Sequence, residues 1–133
     1  MKKAGKRILA LGVTLGIICG IGGTAFAAEK LTVTINGSKA TCLSTINASD
    51  TASAYTTYNG NGAVSVKATY TTKNLPTGEV HKTTRTKATY GTASVTINKP
   101  KGDISKRIES EHSVSVSNQT WKGKTIKKSW YDQ

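Results

Sequence analysis

The stretch Ala63-Val64-Ser65-Val66-Lys67-Ala68-Thr69-Tyr70-Thr71-Thr72-Lys73 decides the fold class. Val64, Val66, Ala68 and Tyr70 stand at alternate positions, with Ser65, Lys67, Thr69, Thr71 and Lys73 between them. A period of two places the first set on one face of an extended strand and the second on the other, so one side meets a core and the other meets water. A helix would scatter both sets around its circumference.

The same pattern extends in both directions. Before this strand, Asn59-Gly60-Asn61-Gly62 is the strongest turn signal in the chain. After it, residues 74–79 contain Pro76 and Gly78 and predict a turn, so that residues 80–90 return antiparallel. On that return strand His81, Arg85 and Lys87 share one face and Val80, Ala88 and Tyr90 the other, with Lys82 out of phase. Gly91 permits a break before Ala93, Val95 and Ile97 resume the alternation. Toward the N-terminus, Leu31, Val33 and Ile35 alternate with Thr32 and Thr34, and Asn36-Gly37 closes the run as a hairpin turn. Residues 39–46 return as a strand through Cys42 or Leu43, and 51–58 form the next.

Toward the C-terminus, Lys99-Pro100-Lys101-Gly102 reads as a turn. Residues 103–111 fit two descriptions: a short helix capped by Asp103, with Ile104 and Ile108 on one face, or a strand or irregular crossover. Residues 112–117 alternate through Val114 and Val116, and a last strand is expected from about 124 to 131. Seven or eight strands with short turns predict an all-β protein, a small antiparallel β-sandwich of immunoglobulin-like or barrel-like form.

The first residues carry a different signal. Lys2, Lys3, Lys6 and Arg7 precede an uncharged stretch over residues 8–23, which is followed by Thr24-Ala25-Phe26-Ala27-Ala28. A basic start, an apolar centre and small residues at Ala25 and Ala27 are the signature of a secretory signal peptide cut after Ala27 or Ala28. The uncharged stretch holds 16 residues with five glycines, shorter than the roughly 20 apolar residues a membrane span requires. Residues 1–27 are therefore read as a leader and 28–133 as one secreted, extracellular domain with no stable membrane span.

Four of the 19 Lys and Arg lie in that leader, which leaves 15 against 7 Asp and Glu, a charge of +8 on the secreted part. Outside a cell a cationic surface meets lipid headgroups, cell-wall polymers and acidic glycans, so the expected partner is an anionic envelope component or an extracellular glycan or protein, not nucleic acid. Cys19 leaves with the leader, and Cys42 is the one remaining thiol. Three uses of Cys42 stay open: a small buried apolar residue, a nucleophile, or a link between two chains in a dimer.

Catalytic parts are scarce. The histidines are His81 and His112, both read as surface strand residues, and no H-E-x-x-H, G-x-S-x-G or phosphate-loop pattern is present. No enzyme activity, metal or cofactor is expected. Leu75-Pro76-Thr77-Gly78 looks like a wall-sorting signal but lacks the residue between Pro and Thr and is not followed by an apolar tail, so it reads as a turn. The strongest candidate site is C-terminal, where Trp121, Lys122, Lys124, Lys127, Lys128, Trp130 and Tyr131 mix cations with amphipathic aromatics suited to an anionic headgroup. The competing reading is an edge strand protected by lysines with both Trp rings packed inside. A second basic row, Lys67, Lys73, Arg85 and Lys87, reads as one solvated face.

From Ser53 onward the chain resembles the lactococcin-type family of small, unmodified, secreted bacteriocins. The residues that carry the likeness are Ser53-Ala54-Tyr55 with Tyr58, the turn glycines Gly60 and Gly62, Ala68-Thr69, Asn74 with Thr77-Gly78, the basic stretch 82–87, and Trp130-Tyr131. The resemblance implies a β-sandwich that binds the cell-wall precursor lipid II and blocks septum growth without opening pores. This chain departs from the family in its added N-terminal hairpin region, residues 31–46, and in having fewer aromatics. An adhesin or surface-interaction sandwich without antimicrobial activity is the alternative.

Overall fold

A computed structural model describes residues 29–47 and 51–132; the leader expected at 1–27 lies outside them. Eight strands follow in order: β1 (Lys30–Ile35), β2 (Ser38–Asn47), β3 (Thr51–Tyr58), β4 (Ala63–Asn74), β5 (Val80–Tyr90), β6 (Thr92–Asn98), β7 (Asp103–Val116) and β8 (Gln119–Lys128). A 3₁₀ turn, Trp130–Asp132, closes the chain. The strands form two four-stranded antiparallel sheets, sheet I in the order β1-β2-β3-β6 and sheet II in the order β5-β4-β7-β8. Each sheet keeps its own two edges, so the architecture is a sandwich and not a closed barrel.

Local chemistry explains the connections. The β1–β2 hairpin turns at Asn36 and Gly37, both at positive φ (54° and 81°), the backbone that a two-residue turn between right-twisted strands requires. Ser117 and Asn118 (47° and 65°) repeat this geometry between β7 and β8, without a glycine. In the β4–β5 turn the Asn74 side chain accepts from the Thr77 backbone N–H at 3.1 Å and from its hydroxyl at 2.9 Å.

Alternation sets the core. Leu31, Val33 and Ile35 from β1, Ala40 and Cys42 from β2, Ala52 and Ala54 from β3, and Val64, Val66, Ala68 and Tyr70 from β4 are buried between the sheets. Tyr58 adds a buried hydrogen bond, donating to the Ile35 carbonyl at 2.7 Å. Sheet I lies over sheet II with β1 above β8, β2 above β7 and β8, β3 above β4 and β7, and β6 above β4.

Several expectations require correction. Residues 103–111 are strand: Asp103–Val116 is one 14-residue strand paired along its length with β4. The opposing ladders supply that segment's backbone partners, and they outweigh the helical spacing of Ile104 and Ile108. The last strand is Gln119–Lys128, earlier than 124–131, and the chain then leaves the sheet at a 3₁₀ turn. The second basic row is split. Val66 pairs with Lys87 and Ala68 with Arg85, so those two cations share the inward side of sheet II, whereas Lys67 pairs with Thr86 on the outward side. They remain in solvent because β5 is an edge strand of sheet II that meets sheet I only through β6; no residue of β5 is buried.

His112 is the largest departure. It is 2% exposed, in the core, where the surface was expected. Its Nδ1 lies 2.8 Å from Thr56 Oγ1 and its Nε2 2.7 Å from Thr125 Oγ1. Thr125 Oγ1 is 2.6 Å from Ser44 Oγ, which is 2.8 Å from Ser110 Oγ. Thr56 donates to the Ser65 carbonyl at 2.7 Å, so its oxygen is left to accept from Nδ1–H, and Nε2 lies against the Thr125 hydroxyl. Burial pushes the imidazole down from 6.5 to about 4, which keeps it neutral. Each polar side chain of this network thus has a partner, the condition for tolerating it there, whereas Thr71 Oγ1 and Trp121 Nε1 are buried without one.

Candidate functional site

The site grows from the outward face of sheet II. Register places Lys67, Glu111 and Lys124 side by side across β4, β7 and β8, with Ser65, Ser113 and Lys122 in the row above and Thr69, Glu109 and Ile126 in the row below. The serine and threonine side chains provide little bulk, so the long side chains stand around two shallow open depressions of about 570 and 560 Å³. Both are lined by Lys67, Glu111 and Lys124; the upper one adds Lys122, Ser65 and Ser113. Ser65 and Ser113 hydroxyls are 2.6 Å apart and form part of a polar floor. Three ammonium groups above hydroxyls can hydrogen-bond phosphate or sugar oxygens, while Glu109 and Glu111 limit the local excess of positive charge.

The residues predicted from sequence divide among five environments. Lys122 and Lys124 are exposed and line the depressions. Trp121 is 5% exposed and turned inward, so it is no ligand contact in the folded protein. The reason is local: Gly123 leaves room for the indole, and a Cβ there would stand 2.5 Å from its ring. Lys127 is also inward and pairs with Glu29 at 2.8 Å, joining β8 to the start of β1. Lys128 lies outward, in the row of Arg107 and Thr71.

Trp130 and Tyr131 project from the 3₁₀ turn, with Trp130 80% and Tyr131 59% exposed. The turn is fastened to β7. Asp132 meets Arg107 Nη1 at 3.2 Å and Lys106 Nζ at 3.4 Å, and Lys106 donates to the Tyr131 carbonyl at 2.7 Å. Lys106 is free to do so because a bulge takes it out of the ladder: Thr71 pairs with Arg107 and Thr72 with Ser105.

A second cluster, not anticipated from sequence, sits at the same end of the sheet. The buried Asp103 carboxylate accepts from Thr72 Oγ1 at 2.7 Å, from His81 Nδ1 at 2.7 Å and from Asn74 Nδ2 at 3.4 Å. Glu79 lies 3.4 Å from His81 Nε2. The hydrogen bond with Asp103 raises the His81 pKa, and the bond from His81, followed by that from Thr72, lowers that of Asp103. Both imidazole nitrogens therefore face carboxylates and hold the start of β5 to β7. Among the described residues no group of three or more His, Cys, Asp or Glu is placed to hold a metal ion.

Cys42 is 1% exposed, and burial pushes its thiol up to about 12. A bond to another chain would require the sandwich to open. The sequence carried a signal for the interior polar network. Ser44 is in phase with Ala40 and Cys42, Ser110 and His112 with Ile108 and Val114, and Thr125 with Trp121.

No family model matches the chain, and no curated protein or solved structure is significantly similar to it.

Proposed function

We propose that this chain is a secreted cationic protein that acts on the bacterial cell envelope in the manner of the lactococcin-type bacteriocins it resembles. Its ligand is an anionic envelope component of the lipid II class. The observation that carries this reading is the gathering of Lys67, Lys122 and Lys124 around hydroxyl-floored depressions on one sheet face. A phosphate-bearing headgroup would find there both charge and hydrogen-bond donors without any group having to be desolvated deeply. The face needs no catalytic residue.

The test is growth inhibition of related bacteria by residues 28–133. Lys122→Glu with Lys124→Glu should abolish it, while Lys39→Glu, on the far side of sheet I, should leave it intact. Failure of the unaltered protein to inhibit any relative overturns the reading. The outward face of sheet I favours a second reading, an adhesin without killing activity: Thr32, Thr41, Thr57 and Thr92 stand abreast across its four strands. Such an array is a flat hydrogen-bonding surface for a glycan. Binding to cells through Thr41 and Thr57 without inhibition would select it.

A further inference from the structure

The end of sheet II at which β4 and β8 finish and β5 and β7 begin carries four of the five large exposed apolar side chains among the described residues: Leu75, Val80, Trp130 and Tyr131. They come from two separate segments, the β4–β5 turn and the C-terminal 3₁₀ turn. The ladder brings them to one place: Val80 pairs with Lys73, Lys73 with Ile104, and Ser129 donates its N–H to the Lys106 carbonyl. Only Tyr90, the fifth, lies at the opposite end of the sheet.

We infer that this end is an interfacial anchor that seats the protein on an anionic phospholipid bilayer. The inference rests on the envelope reading for its biological setting but not for its physics. Three features point to a bilayer in place of a second protein. First, the apolar groups are few and separate, the amount an interface accepts rather than the continuous patch a stable protein contact buries. Second, cations surround them. Lys82 and Lys128 flank the patch in the row of Thr71 and Arg107, and Lys73 stands beside Val80. The nearby acids are engaged: Asp132 by Arg107 and Lys106, Asp103 by His81, and Glu79 with His81. Third, the aromatic pair is Trp and Tyr, whose rings prefer the headgroup level, and the turn that bears them is already pinned to β7, so little ordering remains to oppose docking.

This placement also relates the anchor to the depressions. The depressions open on the outward face of sheet II and the anchor lies at one end of the same sheet, so a protein seated by its aromatic end holds Lys67 and Lys124 above the headgroup layer, where a lipid-linked phosphate would be presented.

The two tryptophans make the test direct, since Trp121 is buried and Trp130 is exposed. The protein is mixed with vesicles of phosphatidylglycerol or of phosphatidylcholine, and co-sedimentation, tryptophan emission and acrylamide quenching are read. Phosphatidylglycerol should shift the emission to the blue and shield it from acrylamide; phosphatidylcholine should bind far less. Trp130→Phe should remove the shift while the Trp121 emission persists as a report of folding. Trp130→Ser with Leu75→Ser should weaken partitioning roughly tenfold, and Lys128→Gln about fivefold. Undiminished partitioning of the Trp130→Ser, Leu75→Ser variant overturns the inference. So does co-sedimentation with unchanged Trp130 emission, or no binding to phosphatidylglycerol. Growth inhibition without vesicle binding would remove the anchor and leave the envelope reading; vesicle binding without inhibition would do the reverse.

Discussion

Acid should weaken this sandwich through one residue. His112 has its pKa lowered from 6.5 to about 4 in the folded protein, so between those values the unfolded chain binds a proton that the native state refuses. The stabilising contribution is therefore fully present above pH 6.5, falls as the pH drops, and is exhausted near pH 4. At about 1.36 kcal/mol per unit, a shift of this size amounts to about 3 kcal/mol, a large share of the roughly 5–15 kcal/mol that stabilises a domain of ordinary size. The other groups with shifted pKa values act outside that window. His81, with a raised pKa, contributes fully below 6.5 and loses its contribution only as the pH rises through its folded value. Asp103, with a lowered pKa, contributes above 3.8 and loses it only below that. Urea unfolding at intervals from pH 7 to pH 4 should thus show a steady loss of about 3 kcal/mol. His112→Gln keeps a donor for Thr56 and a polar group for Thr125 but cannot take up the proton, so it should start lower and stay nearly level. A flat profile for the unaltered protein, or parallel profiles for the two, would refute the reasoning.

Other consequences are as specific. Cys42 should ignore a thiol reagent such as Ellman's in the native state and react at once in denaturant; prompt labelling of the folded protein would mean that the core is open at β2. Gly123→Ala forces a methyl group against the Trp121 ring, and thermal unfolding should show a loss of about 1–3 kcal/mol together with a change in Trp121 fluorescence. Tyr58→Phe removes only the hydroxyl that meets the Ile35 carbonyl, and about 1 kcal/mol should be lost in denaturant titration. Asp103→Asn removes the group that raises His81, and NMR titration of the His81 ring should show its pKa falling back toward 6.5.

How much of this was written in the linear chain depends on which forces are local. The alternation of Val64, Val66, Ala68 and Tyr70, and the turn at Asn36-Gly37, specify strands and a hairpin through backbone sterics and burial of one face, effects that act between near neighbours. Residues 103–111 show where that reasoning stops, because local spacing was satisfied by helix or strand and only the ladders of β4 and β8 choose. Residue type misled for His112, although its phase with Ile108 and Val114 pointed inward: a titratable side chain in step with core residues reads as surface until a specific set of partners is supplied. Those partners, Thr56, Ser44, Ser110 and Thr125, come from four different strands.

The candidate site divides in the same way. The linear chain alone shows a net positive charge and aromatics near residue 130, since charge and residue type need no coordinates. Which of those residues meet solvent was decided by packing. Trp121 turns inward because Gly123 admits its ring, Lys127 is drawn to Glu29, and Leu75 and Val80 join Trp130 and Tyr131 only because β4 and β7 are neighbours. Strand identity follows from forces that act along a few consecutive residues. Surface assembly follows from which strands lie side by side, a choice made by the fit of two whole sheets and therefore absent from any short stretch of the chain.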